Sequence, residues 1–149
     1  MKSLKSSLTL FIICLTLFSF QKTEAERYSL TIEVDGLRNS KGLVKIALYN
    51  KENSIPDEHF ENYYKIENVA INKNIANFTF LNLPIGKYAI SVLHDENSNG
   101  KIDKGIVLPK EGVGFSNYSS IGIGNKPNFK KASFELEQNK IIKVKVIYM

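Results

Sequence analysis

Oxygen-bearing side chains recur at alternate positions in one stretch, Asp95-Glu96-Asn97-Ser98-Asn99-Gly100-Lys101-Ile102-Asp103. A hard cation such as calcium takes about six to eight oxygens, and a short loop supplies them from alternating side chains and a backbone carbonyl if the chain turns sharply midway. The side chains of Asp95, Asn97, Asn99 and Asp103 and the Lys101 carbonyl are the donors such a loop would use, with Gly100 at the turn. The calcium loop of helix-loop-helix proteins ends in a bidentate Glu. Here Ile106 stands in its place, so the match is partial, and water or Glu111 is left to fill the sphere. Only two of the core ligands are charged, which predicts weak binding. The same residue types also build tight polar turns without metal, and that alternative stays open.

Other residues suggest chemistry less strongly. His94 adjoins Asp95, but adjacent strand residues point to opposite faces, so the two side chains diverge. His94 continues an apolar row and reads as a half-buried histidine bonded to the loop. Gly114-Phe115-Ser116-Asn117 lacks the G-x-S-x-G pattern of a nucleophile elbow. The single cysteine, Cys14, lies in an apolar run near the start. No phosphate-binding glycine loop opens a helix. The residues therefore predict a protein that is not an enzyme.

The elements that would position the loop are strands. Tyr28, Leu30, Ile32 and Val34 alternate with polar residues, as do Val44, Ile46 and Leu48. A weaker alternation runs from Tyr63 to Ile71. Ala76, Phe78 and Phe80 mark a fourth strand, and Tyr88, Ile90, Val92 and His94 a fifth that feeds straight into the loop. Ala132, Phe134 and Leu136, then Ile142, Val144, Val146 and Tyr148, close the chain. Period-two alternation is the signature of half-buried strands. No segment has helical periodicity. Residues 50–62 read as a loop, and residues 104–129, rich in Gly, Asn and Ser, as a long one. About seven half-apolar strands need a second sheet to bury their faces, which predicts an all-β, two-layer antiparallel Greek-key sandwich, immunoglobulin- or prealbumin-like. Its core is expected to hold Ile32, Val44, Ile46, Phe80, Ile90, Val92, Phe134 and Val144. In Leu83-Pro84-Ile85-Gly86-Lys87-Tyr88, the tyrosine after a corner predicts a hydroxyl returned to nearby backbone.

Residues 1–25 have a basic start, an apolar middle and small residues Thr23 and Ala25 at the exit, the layout of a secretory signal. Cleavage there leaves a single domain, 26–149, with no cysteine, no disulfide and no membrane span. The net charge of +5 over 149 residues is mild and argues against nucleic acid.

Three pieces carry a family resemblance: Leu83-Pro84-Ile85-Gly86-Lys87-Tyr88-Ala89, the stretch from His94 to Asp103, and Pro109-Lys110-Glu111-Gly112-Val113-Gly114-Phe115-Ser116-Asn117. Together they resemble the secreted bacterial family called domain of unknown function 2141. The resemblance implies a secreted or periplasmic sandwich, transthyretin-like or collagen-adhesin-B-like, and brings no activity with it. Members often have an acidic pair where this chain has Lys130 and Lys131. The expected function is a secreted, non-catalytic binding or adhesion-type module with a structural calcium loop, its partner a protein or small ligand. The alternative is an accessory subunit or small-ligand carrier using the 104–129 loop, with Phe115, Ser116, Asn117 and Tyr118 as candidates beside His94.

Overall fold

The structure, a computed structural model, describes residues 25–105 and 109–149. The expected signal, residues 1–25, lies outside the described residues but for Ala25, and Ile106 lies outside them as well. The elements are β1 (Arg27–Asp35), β2 (Leu43–Tyr49), β3 (Lys65–Ala70), β4 (Ala76–Pro84), β5 (Gly86–Asp95), β6 (Gly112–Phe115), a short helix α1 (Phe129–Ala132), β7 (Phe134–Leu136) and β8 (Lys140–Lys145). They form two sheets, β4-β1-β8 and β3-β2-β5-β6, with β7 also on β5.

The apolar alternation explains the stacking. Leu30, Ile32 and Val34 from β1, Val44, Ile46 and Leu48 from β2, and Ile90 and Val92 from β5 are fully buried between the sheets. Seven of the eight expected core residues are buried; Phe134 is half-buried at the margin, because β7 is short and lies at the end of the sheet. Antiparallel pairing prevails, with one exception. β1 and β8 run parallel, Leu30 opposite Lys140 through Asp35 opposite Lys145.

Two features differ from the expected strand pattern. An eighth strand, β6, lies inside the 104–129 segment and pairs with β5 from Ser91 to His94. β5 is also buried on both faces. Its outer side, with Ala89 and Leu93, joins a second apolar cluster of Ala47, Tyr49, Ile55, Phe60, Val113, Phe115, Tyr118, Phe129 and Ala132. The excursions 50–62 and 116–132 therefore fold back over the larger sheet. In the second, Asn128 caps α1 by accepting from the Lys131 N–H at 2.9 Å, which relieves one unpaired donor of the first turn.

The tyrosine corner forms as its sequence predicts. Tyr88 is 2% exposed and its hydroxyl donates to the Pro84 carbonyl at 2.9 Å. Tyr88→Phe is expected to cost about 1 kcal/mol, the net worth of one such bond. Denaturant midpoints of the two proteins measure it; identical midpoints would mean the bond adds nothing.

Candidate functional site

β5 delivers two residues to the end of the sandwich on opposite faces, His94 toward the core between the sheets and Asp95 toward the outer side. Pairing of Leu43 with Asp95 fixes where the strand stops. Asp95 is 3% exposed. Its carboxylate accepts from the Asn99 N–H at 3.0 Å and the Gly100 N–H at 2.7 Å, curling the chain back over the strand end. Ser98 and Gly100 take left-handed backbone angles, φ 58° and 77°, to make the curl, which at Gly100 costs no Cβ clash.

The remaining candidates close a ring. Asn97 Oδ1 accepts from the Asn99 N–H at 3.0 Å, and Asn99 Oδ1 from the Lys101 N–H at 2.8 Å. Their amide groups converge on Asp103, Asn97 Nδ2 on Oδ2 at 2.7 Å and Asn99 Nδ2 on Oδ1 at 3.0 Å. Glu111 staples the loop from below, accepting from the Glu96 N–H at 3.0 Å and the Asp103 N–H at 3.1 Å. Burial pushes the Glu111 carboxyl up; the two N–H bonds pull it down, and the nearby Asp95 and Asp103 carboxylates push it further up. Lys45 reaches the loop from β2, donating to the Gly100 carbonyl at 2.7 Å with its ammonium 4.8 Å from the Phe60 ring centroid.

Asp95, Asn97, Asn99 and Asp103 thus belong to one hydrogen-bonded loop, with Glu111 bonded to its backbone. Among the described residues, however, no three Asp, Glu, His or Cys side chains form a group that could hold a metal by themselves. A cation here would depend on the amide oxygens of Asn97 and Asn99 and the Lys101 carbonyl, oxygen donors suited to calcium. It would also have to open the two amide bonds to Asp103, whose carboxylate they now satisfy.

His94 is fully buried and bonded at both ring nitrogens. Nε2 lies 2.9 Å from the Lys41 carbonyl, which can only accept, so Nε2 carries a hydrogen. Nδ1 lies 2.5 Å from the Tyr148 hydroxyl, whose oxygen accepts from the Arg38 N–H at 3.1 Å. Arg38 Nε in turn holds Glu96 at 2.5 Å and keeps that carboxyl below its ordinary range. This cluster ties the β1–β2 turn, the start of the loop and the chain end together.

Phe115, Ser116 and Asn117 do structural work. Phe115 packs in the second cluster edge-to-face with Tyr118. Ser116 fills the interval between β6 and β7 along β5: its N–H donates to the Ile90 carbonyl at 3.1 Å, and its hydroxyl accepts from the Ile90 N–H at 2.9 Å and donates to the Ala132 carbonyl at 2.7 Å. Asn117, at φ 62°, donates to the carbonyls of Lys131, Ala132 and Ser133. Arg38 and Lys45 are participants the residue pattern does not single out. Arg38 stands in a polar turn, and Lys45 looks like any outward-facing residue between Val44 and Ile46. A separate open groove of about 490 Å³ runs between the free edges β3 and β4, lined in part by Tyr63, Lys65, Phe78 and Leu81; it shares no residue with the loop.

Fold and site together define a two-sheet β-sandwich with a polar, oxygen-rich loop at the end of its central strand. The chain belongs to the family described as uncharacterized protein conserved in bacteria (DUF2141), whose family model matches residues 32–143. The match speaks for that family and not for transthyretin in particular. No curated protein and no solved structure matches the chain.

Proposed function

We propose that this protein is an exported, non-catalytic binding or adhesion-type module whose 95–103 loop takes one calcium ion in a structural role. The observation that carries the reading is that Asp95 and Asp103 stand at the two ends of one short loop, with the Asn97 and Asn99 side chains bonded to Asp103 and Glu111 bonded to the loop's backbone from outside it. The oxygens of Asn97 and Asn99 accept from the Asn99 and Lys101 N–H groups, and an ion would have to turn them toward Asp103. The ion would replace the amide contacts to Asp103 and fix the loop's outer rim, with water completing the sphere. Export is supported by the basic, apolar and small-residue order of residues 1–25. Among the described residues no helix is long and apolar enough to cross a membrane. A non-catalytic role is supported by what the obvious catalytic residue types are doing. Both nitrogens of His94 and the hydroxyl of Ser116 are spent inside the fold.

Calcium affinity is expected to be weak, on the order of 10⁻⁴–10⁻³ M, as in extracellular modules. At about tenfold excess over the dissociation constant, linkage stabilises the fold by about 1.4 kcal/mol. That corresponds to a rise of roughly 3–10 °C in Tm for a domain of this size. Magnesium should compete poorly, since it demands a tighter octahedron and keeps its waters. Asp95→Ala should remove the calcium-dependent shift. Glu67→Ala, an exposed carboxylate on β3, should leave it intact. Glu96 is the wrong control, because it pairs with Arg38. Melting curves with calcium and with chelator decide; if millimolar calcium moves neither wild type nor Glu67→Ala, the loop is a metal-free polar turn.

A further inference from the structure

An isoleucine held in water by an anchored turn stands on the excursion that covers the larger sheet. Ile123 is 95% exposed, the most exposed of the large apolar residues described. It sits between Gly122 and Gly124, and a Cβ built on either glycine would meet nothing within 4 Å. The turn is nevertheless tied at its base. The Asn125 N–H donates to the Gly122 carbonyl at 3.0 Å, and the Asn125 side chain donates to the Ser120 carbonyl at 2.6 Å. The Tyr118 hydroxyl donates to the Lys126 carbonyl at 3.1 Å and accepts from the Asn128 N–H at 3.1 Å. Ile121 turns the other way and packs on the second cluster. Ordered backbone that presents a large aliphatic side chain to solvent gains nothing from it within this chain.

Along the chain, the charge on either side of the tip is of one sign. From Gly112 to Phe134 the chain has no Asp or Glu, but it has Lys126, Lys130 and Lys131. All three are exposed. The Lys131 ammonium bonds to the Asn125 side chain and lies 4.6 Å from the Tyr118 ring centroid, which places it at the base of the tip. Lys126 follows Asn125 directly. A protruding aliphatic residue with cations behind it has a matching partner in a bilayer with anionic headgroups. One apolar insertion or one basic patch binds such a surface marginally, and the two together bind usefully. Other anionic polymers would use the lysines and leave Ile123 idle.

We propose that the 120–131 turn is a peripheral docking site for an anionic phospholipid surface, with Ile123 entering the headgroup–acyl boundary and Lys126, Lys130 and Lys131 facing the phosphates. The test is cosedimentation of the full chain with vesicles of phosphatidylcholine alone and of phosphatidylcholine with phosphatidylglycerol. Ile123→Asp is run beside the unaltered protein, so that anything owed to residues 1–25 is common to both. Binding is expected on the anionic vesicles, at least about tenfold weaker for Ile123→Asp, given what burying one aliphatic side chain is worth. Lys126→Gln and Lys130→Gln should each weaken it about fivefold. Lys131 is left alone because it supports the turn. The melting temperature should not change with Ile123→Asp, since that side chain is almost wholly in solvent. Equal binding by Ile123→Asp and the unaltered protein overturns the proposal, because Ile123 would then contribute nothing to the contact. So does binding to neutral and anionic vesicles alike that is indifferent to the lysines.

Discussion

Gly42→Ala should destabilise the fold by about 2–5 kcal/mol, combining left-handed backbone strain with overpacking. Gly42 has φ 69°, and an ideal Cβ there would lie 1.9 Å from the Asp95 carbonyl oxygen and 2.7 Å from Glu96 Cα. Both of those are backbone atoms, so no side-chain rotamer relieves the clash. The chain must instead move the β1–β2 turn or the start of the 95–103 loop. Lys41, whose carbonyl holds His94, moves with the turn. Gly122→Ala is the matched control, since a Cβ there meets nothing within 4 Å. Equilibrium denaturation of the two variants should separate them clearly. A cost below about 1 kcal/mol at Gly42, less than the strain of a left-handed alanine alone, would show that the turn and loop do not meet as described.

Ile90→Ala is the second large effect, expected at about 2–5 kcal/mol from lost transfer energy and the cavity left behind. Ile90 is fully buried between the sheets. Its backbone N–H and carbonyl bond Ser116, and alanine leaves both bonds possible, so the measured cost is one of packing. Ile141→Ala, on a side chain 61% exposed, should stay within about 0.5 kcal/mol, the usual range for surface changes. Similar midpoints for the two variants would mean that the faces of β5 or β8 are assigned wrongly.

Much of this architecture is legible in the residues. Alternation in β1, β2 and β8 places Ile32, Val44 and Val144 inside, and the corner before Tyr88 predicts its own hydrogen bond. Period two says which face of a strand is apolar, but it carries no direction, so the parallel pairing of β1 with β8 is not readable from it. β6 is concealed by its glycines. Gly112 and Gly114 look like loop residues, yet a Cβ on Gly112 would meet Val146 and Tyr148, and one on Gly114 would meet the Lys145 carbonyl at 2.6 Å. Glycine is present there because another strand passes close. The second cluster had a visible sign. Tyr88-Ala89-Ile90-Ser91-Val92-Leu93 is apolar at almost every position, the mark of a strand buried on both faces. Residue types also nominate the loop's oxygens, but they do not say that Asn97 and Asn99 turn their amide nitrogens toward Asp103. Likewise Ser116 and Asn117 look chemically available until the path of the chain from β6 to α1 shows what they hold.

The parallel pairing of β1 with β8 makes the last strand described the one that completes the three-stranded sheet. The first strand described and the last are direct neighbours, while β2, β3 and β5 of the other sheet lie closer together along the chain. Made from its N-terminus, the chain can pair β1 with β4 early, but the three-stranded sheet stays open on one side until Lys145 has been synthesised. Until then Ile32 and Val34 lack their β8 neighbours Ile142 and Val144. A chain cut before Lys140 would therefore leave β1 with one open edge, and Val34 would lose Val144 as its neighbour across the sheet.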